Sequence, residues 1–126
     1  MKKLVGKTIC SVALCFLFIL GNVSDVKAAS KGWNLRYLKG APQSENIFNW
    51  DSGTVHATKT TTTLSLDSIS GGASVFMYTS NGIYGIASTP GASISAAAVM
   101  GLSVYASVSY NNYGTSTNYP SGTFSY

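Results

Sequence analysis

The chain of 126 residues suits one small domain and carries few charges: eight Lys or Arg, four Asp or Glu and one His, with a formal net charge of +4. A single histidine excludes a zinc site built from several histidines of one chain, and four carboxylates leave little material for acid–base catalysis. Aromatic residues make up 12% of the chain, so they are the main groups left for recognition.

Residues 1–28 have the layout of a secretory signal peptide. Three lysines within the first seven residues form a basic start, residues 8–21 are apolar, and Val26-Lys27-Ala28 supplies the −3 and −1 positions of a cleavage site. The uncharged run is shorter than the about 18 to 20 apolar residues that cross a bilayer, which disfavours an uncleaved anchor. We expect cleavage after Ala28, with cleavage after Ala29 as the alternative, and secretion from a bacterial cell without a stable membrane anchor.

Removal of this leader changes the chemistry of the mature chain, residues 29–126. Both cysteines, Cys10 and Cys15, leave with it, which excludes a disulfide and a thiolate metal site. Four of the eight basic residues and one of the four acidic residues also leave, so the net charge falls to +1. The basic pI therefore gives no argument for binding to nucleic acid or anionic membranes. We predict a single β-rich secreted domain with no cofactor.

The amino-terminal half of this domain shows two strand patterns. Residues 33–38 predict a strand with Trp33, Leu35 and Tyr37 on one face. The threonine-rich residues 58–67 predict a second strand that is exposed on one side, because threonine packs its methyl group and turns its hydroxyl to water. The apolar residues change from odd to even positions within this region, which predicts a bulge or turn between residues 56 and 63.

The carboxyl-terminal half shows three further patterns. Residues 73–78 and 83–88 flank Asn81-Gly82, which predicts a hairpin with a type I′ turn. Residues 94–110 alternate strictly and predict a long strand with a bend or break at Gly101. Residues 119–122 predict a β-turn with proline at its second position, followed by a last strand at 123–126.

Together these patterns predict an all-β fold: a small antiparallel β-sandwich or jelly-roll-like domain of about seven or eight short strands. A closed barrel is the main alternative. The predicted core consists of Leu64, Leu66, Val75, Met77, Ile94, Met100, Leu102, Val104 and Val108.

The polar residues give little support for catalysis. His56 follows Asp51 by five residues and serines are abundant, but no Gly-x-Ser-x-Gly motif accompanies them. A histidine in a strand beside the threonine run is the simpler interpretation. Nothing pairs any two of the mature carboxylates across a cleft, as a glycosidase requires. We therefore predict that the protein is not an enzyme.

Aromatic residues set among small polar residues are typical of recognition surfaces. The candidate ligand surface consists of Trp33, Trp50, Tyr105, Tyr113 and Tyr119. The same tyrosines also suit strands, where the ring packs and the hydroxyl reaches water. The expected partners are a carbohydrate, a protein surface or a second copy of the chain.

Three functions fit this sequence. The first is a secreted, non-catalytic β-sandwich with a binding or structural role outside the cell, and this is our choice. The second is a membrane-active, pore-forming-like protein, because the alternation at residues 93–109 also suits one wall of a β-barrel pore. The third is a self-associating extracellular structural protein, because low charge and long alternating strands favour pairing between strand edges.

Overall fold

The computed structural model describes residues 29–126, which form an all-β structure of antiparallel sheets. These residues contain ten strands and a single 3-10 turn, at Gln43–Glu45. The strands are β1 Ser30–Asn34, β2 Asn49–Asp51, β3 Val55–His56, β4 Thr61–Ser68, β5 Ser74–Thr79, β6 Ile83–Ala87, β7 Ser93–Ala97, β8 Ser103–Val104, β9 Ala106–Asn112 and β10 Ser121–Ser125. The all-β prediction is confirmed, with more and shorter strands than expected. The predicted signal peptide, its cleavage site and both cysteines lie outside the described residues.

Most strands belong to two four-stranded sheets. The first sheet has the order β1-β10-β4-β7 and the second has the order β2-β9-β5-β6, while β3 and β8 form a separate pair. Every pairing is antiparallel. The edges of the two large sheets are therefore β1, β7, β2 and β6.

The inward faces of both sheets contribute to one hydrophobic core. In β4, Leu64 and Leu66 are fully buried, and Val75, Met77 and Val108 meet them from the second sheet. Phe124 of β10 is also fully buried. Strand alternation explains this arrangement, because every second side chain of each strand points into the core.

Trp33 closes one side of this core. Its side chain is only 2% exposed, and its indole nitrogen donates a hydrogen bond to the Ser65 carbonyl at 3.0 Å. The ring lies over Gly122, where a Cβ atom would approach two of its ring carbons to 2.6 Å. Glycine is therefore required at position 122 by the close approach of the ring.

Two members of the predicted core are on the surface. Met100 is 50% exposed and Leu102 is 60% exposed, so their prediction as core residues is wrong. The alternation is interrupted between β7 and β8, where Gly101 adopts a φ of 84° and residues 98–102 form a loop. The predicted break at Gly101 is confirmed, and it carries Met100 and Leu102 out of the core. Ile94 is partly buried, and the other six predicted members are buried.

The predicted threonine-rich strand is present with one exposed face, but it begins at Thr61 rather than at residue 58. Thr62 is buried between the sheets, whereas Thr61 and Thr63 face outward. Residues 58–60 bend between β3 and β4, and this bend accounts for the predicted change of parity.

The hairpin between β5 and β6 is present, but its turn is not of type I′. Thr79 pairs with Ile83, which leaves residues 80–82 as the loop, and the Gly82 amide donates to the Thr79 carbonyl at 3.1 Å. Type I′ requires positive φ at both central residues. Within residues 29–126 no residue other than glycine has positive φ, so only Gly82, at 94°, meets that requirement.

The predicted turn at residues 119–122 is also wrong. The Pro120 carbonyl accepts a hydrogen bond from the Leu35 amide at 2.9 Å, and β10 begins at Ser121. Pro120 is buried at the entry of the strand, where its missing N–H does not interrupt the ladder. The first strand likewise begins earlier than predicted, at Ser30 rather than Trp33.

Candidate functional site

Strands β5 and β6 present large apolar side chains to solvent. Val75 and Met77 point into the core, so the alternating residues Phe76 and Tyr78 lie on the opposite, outward face of the second sheet. Opposite them on β6, Tyr84 and Ile86 are 69% and 62% exposed. The two exposed side chains of β6 adjoin the half-buried Phe76 and Tyr78, and together they mark a candidate interaction surface.

The register of the second sheet places these residues in two rows beside polar side chains. One row runs Ile86, Phe76, Ser109 and Asn49, and the other runs Tyr84, Tyr78, Ser107 and Asp51. We call Phe76, Tyr78, Tyr84, Ile86 and the neighbouring Tyr105 the aromatic face. We call Asn49, Asp51, Ser107 and Ser109 the polar strip. The outward side of this sheet thus has an apolar half and a hydrogen-bonding half.

Ring contacts order the aromatic face. The centroids of Phe76 and Tyr84 are 5.8 Å apart with an interplanar angle of 21°, and those of Tyr78 and Tyr105 are 5.9 Å apart. The Tyr105 amide donates to the Ser80 hydroxyl at 2.9 Å, which fixes this tyrosine beside the β5–β6 turn. Three of the four rings therefore sit on the paired strands β5 and β6, and Tyr105 lies between β8 and β9.

The environment of Tyr105 favours its neutral, protonated form. A hydrogen bond with the Tyr78 side chain raises the pKa of Tyr105 above its ordinary value, and the Asp51 carboxylate acts in the same direction. Asp51 is the charged residue of the two rows. Its Oδ1 atom accepts a hydrogen bond from the Gly53 amide at 2.7 Å.

The five residues of the predicted ligand surface lie in different environments. Trp33 is in the core and Trp50 packs partly against it, while Tyr105, Tyr113 and Tyr119 are exposed. No two of these five rings stack on each other; each stacking contact of Tyr105 and Tyr113 involves a ring outside the set. Of the five, Tyr105 belongs to the aromatic face.

Tyr113 belongs to a second aromatic group at the far end of β9. Its ring lies 5.1 Å from Tyr37, 5.0 Å from Phe48 and 5.2 Å from Tyr110 between centroids. Burial raises the pKa of Tyr110 to about 12, and its hydroxyl donates to the Asn118 carbonyl at 3.3 Å. Tyr110 of this group packs against the hydrophobic core. The rings contact one another and the Tyr110 hydroxyl has a hydrogen-bond partner, so we interpret the group as structural.

The sequence analysis missed four of the five residues of the aromatic face: Phe76, Tyr78, Tyr84 and Ile86. Their signal was present in the two hairpin strands, which are apolar at both odd and even positions. A strand of that kind is buried on both faces or exposes an apolar face. Among residues 29–126 no other strand of the two large sheets lies over this face, and Tyr84 and Ile86 are exposed while Phe76 is half-buried.

The polar residues considered for catalysis do not converge. The His56 ring is exposed, and its Nδ1 atom lies 3.1 Å from the Gly101 carbonyl oxygen. Asp51 caps the Gly53 amide instead of contacting this ring. Among residues 29–126 no group of three or more His, Cys, Asp or Glu could hold a metal ion.

A shallow cleft lies beside the β5–β6 turn. Its volume is about 180 Å³, and it is lined by Ser80, Asn81, residues 97–99 and residues 102–104. The Asn81 amide nitrogen donates to the Ala97 carbonyl at 2.7 Å, while its oxygen has no partner within the part of the chain that the structure describes. The cleft is smaller than the about 300 to 1,000 Å³ of ordinary small-molecule sites.

The loop at residues 98–102 exposes a second apolar group beside this cleft. Val99 is 63% exposed, and Met100 and Leu102 are exposed with it. The loop is held firmly, because the Gly101 amide donates to the Ala57 carbonyl at 2.8 Å and the Ala57 amide donates to the Leu102 carbonyl at 2.9 Å. No helix in residues 29–126 is both long and apolar enough to cross a membrane.

Comparisons of the chain with protein-family models, with curated proteins and with solved structures gave no match.

Proposed function

We propose that this chain is an exported, non-catalytic binding module, a small β-sandwich that recognises neutral polysaccharide outside the cell through its aromatic face. The export rests on the signal-peptide pattern of residues 1–28, with cleavage after Ala28. The two four-stranded sheets that share one core support the sandwich.

The observation that carries the proposal is the exposed aromatic face beside the polar strip. Tyr84 and Ile86 leave most of their surface in water, although both lie on a paired strand. Exposing contiguous apolar surface disfavours the isolated protein relative to a bound form, so such a patch favours a binding role.

A neutral sugar chain matches both halves of this surface. The C–H face of a pyranose ring packs on an aromatic ring, while its hydroxyl groups need hydrogen-bond donors and acceptors at the side. Ser107 and Ser109 provide hydroxyls, and Asn49 provides an amide in the same row as Phe76. Neither the aromatic face nor the polar strip contains Lys or Arg, so these residues supply no cation with which to attract an acidic polymer.

A binding role without catalysis agrees with the dispersed polar residues. An exposed histidine bonded to a backbone carbonyl is not oriented by a carboxylate. Asp51, the carboxylate in one of the two rows, already accepts a backbone hydrogen bond.

The test is co-sedimentation of the purified protein with insoluble cellulose, chitin and starch, and with pectate gel as the acidic comparison. We expect binding to at least one neutral polymer, weakened roughly tenfold or more by Tyr84→Ala, because one stacked ring typically contributes over a kilocalorie per mole. Tyr119→Ala is the matched control, since Tyr119 is an exposed tyrosine away from the two rows.

Two results would contradict the proposal. One is that the wild-type protein binds none of the neutral polymers at any concentration tested. The other is binding that Tyr84→Ala and Tyr119→Ala weaken equally, because the aromatic face would then have no special role.

Contact with a lipid membrane is a second candidate function, supported by the loop at residues 98–102. Val99, Met100 and Leu102 project from a loop whose backbone is hydrogen-bonded to the segment at Ala57. Entering the lipid interface then costs little for the backbone and buries three apolar side chains.

Dye release from phosphatidylcholine liposomes tests this candidate over a range of protein concentrations. Leakage that Leu102→Asp abolishes, but Thr61→Asp does not, would support it, since both substitutions add one exposed carboxylate. Absence of leakage and of vesicle co-flotation would rule it out.

A further inference from the structure

Edge strand β6 carries neither charge nor proline, the features that most directly prevent pairing with another strand, and edge β7 shares this composition but has its Ala97 carbonyl covered. Edge strands expose unpaired backbone groups, and proteins commonly protect them with charges, short length or covering side chains. Edge β1 carries Lys31, edge β2 has three residues and contains Asp51, and the Asn81 amide covers the Ala97 carbonyl of edge β7. By contrast, β6 has five residues, Ile83-Tyr84-Gly85-Ile86-Ala87, with neither charge nor proline.

The register shows which backbone groups of β6 face away from the sheet. The Ser80 amide donates to the Tyr105 carbonyl, so the even residues of β5 face β9 and its odd residues face β6. The odd residues pair with Ile83, Gly85 and Ala87. The N–H and C=O groups of Tyr84 and Ile86 therefore point outward from the edge.

These outward groups are complementary to a second copy of themselves. When two β6 strands run antiparallel about a two-fold axis at Gly85, Tyr84 of one chain lies opposite Ile86 of the other. Residues directly opposite in this way exchange both of their backbone hydrogen bonds, which gives two bonds at each of two symmetric positions. Gly85 then meets its own copy at a non-hydrogen-bonded pair, where the backbones approach most closely and the absence of a side chain is favourable.

The side chains favour the same arrangement. Each exposed Tyr84 ring would lie beside an Ile86 side chain of the other copy, an aromatic–β-branched cross-strand pair. Residues 68–126 carry no charged side chain, so like charges do not oppose the approach of two identical edges.

We propose that two copies of this chain associate through their β6 strands and join their second sheets into one continuous eight-stranded sheet. The interface is isologous and closes after two copies. Because edge pairing leaves the outward faces of the sheets free, the two aromatic faces become neighbours on one surface. The inference concerns the β6 edge and does not depend on the ligand.

Sedimentation equilibrium of the purified protein tests this inference. We expect a mass of two chains, and Ile86→Lys should weaken the dimer by roughly tenfold or more because it places two like charges near the two-fold axis. Ser93→Lys is the matched control: Ser93 is an exposed residue of edge β7, so it adds the same charge without touching β6. A wild-type protein that stays monomeric at about 100 μM, a concentration at which weak specific dimers form, overturns the proposal, and so does equal weakening by both variants.

Amide hydrogen exchange provides a second measurement, which distinguishes loss of the dimer from loss of the fold. The amides of Tyr84 and Ile86 should be protected only at concentrations where the dimer forms, whereas the Gly85 amide, which faces β5, should be protected at all concentrations. Fast exchange at Tyr84 and Ile86 in a sample with the mass of two chains would place the interface elsewhere. A monomer that still binds polysaccharide would refute the dimer alone, and a dimer without polysaccharide binding would refute only the proposed ligand.

Discussion

The outward faces of the two sheets differ sharply, although their inward faces share one core. On the first sheet the outward side chains are hydroxyls and one carboxylate that bond to each other: Thr63 to Ser95 at 3.0 Å, Ser65 to Asp67 at 3.1 Å and Thr123 to Asp67 at 3.2 Å. On the second sheet the corresponding positions are the aromatic face and the polar strip.

This difference shows which surface is available for a partner. The hydroxyl-bearing face satisfies part of its hydrogen bonding internally and the rest with water, so it is stable as a free surface. The aromatic face exposes apolar area to water, which is unfavourable and which a bound partner would relieve. Both sheets obey the same alternation, and only the chemistry of the outward residues separates the hydroxyl-bearing side from the side that we propose binds a partner.

The largest expected effect comes from breaking the first sheet at its closest backbone approach. In Gly122→Ala the new Cβ would overlap the Ser65 carbonyl oxygen and press on the Trp33 ring. We expect a loss of on the order of 4 kcal/mol or more in the free energy of unfolding, measured by urea denaturation. Gly32→Ala is the control, because its Cβ would lie 4.0 Å from its nearest neighbour. Equal losses in both variants would show that the packing around Trp33 is not the cause.

The next effect separates the shared core from the exposed loop. Leu66→Ala should cost about 2 to 5 kcal/mol in the free energy of unfolding, because Leu66 is fully buried. Leu102→Ala should change it by less than about 0.5 kcal/mol, because that side chain is on the surface. Comparable losses of unfolding free energy in the two variants would show that Leu102 is buried in the core.

A smaller effect on stability is expected when the second face is made to resemble the first. Tyr84→Thr keeps a residue that favours strands and removes the ring that stacks on Phe76. The free energy of unfolding should fall by no more than about 1 kcal/mol, the typical value of a cross-strand pair. Polysaccharide binding in the co-sedimentation assay should fall much further. A variant that binds normally would show that the hydroxyl-bearing kind of face suffices.

The smallest effect is expected from pH and involves the aromatic group at the far end of β9. The pKa of Tyr110 is raised to about 12 in the folded protein, above the ordinary value of about 10. Between these two values the folded form holds the phenol proton more tightly than the unfolded form, so stability falls as the pH rises above about 10 and is unaffected below it. Urea denaturation at pH 8 and pH 11 should show this fall, and Tyr110→Phe should reduce it. An equally steep fall in Tyr110→Phe would assign it to other groups.

Most of the fold followed from the sequence because it depends on a local period. Leu64, Leu66, Val75 and Met77 were predicted in the core from alternation alone, and the break at Gly101 was predicted from one glycine. Local patterns failed where tertiary contacts decided the outcome. Pro120 enters β10 without a turn because its carbonyl pairs with Leu35, which is distant in the sequence.

The candidate surface was less predictable than the core. The sequence pattern of aromatic residues among small polar residues selects Tyr105 and Trp33 equally. Only the packing of the strands shows that Trp33 is buried. The exposure of Tyr84 and Ile86 depends on which face of the second sheet is covered, and this cannot be obtained from the period of a single strand.

The hydroxyl of Thr58 bridges the first and last residues that the structure describes. It accepts a hydrogen bond from the Ala29 amide at 3.0 Å and donates one to the Tyr126 carbonyl, and the Tyr126 amide donates to the Ala29 carbonyl at 2.9 Å. Residues 29 and 126 are therefore neighbours, and a short linker between them would add little loop-closure entropy. A circular permutant joined there and opened at the exposed glycine pair 71–72, outside every strand, should retain both sheets and the uncut β5–β6 hairpin.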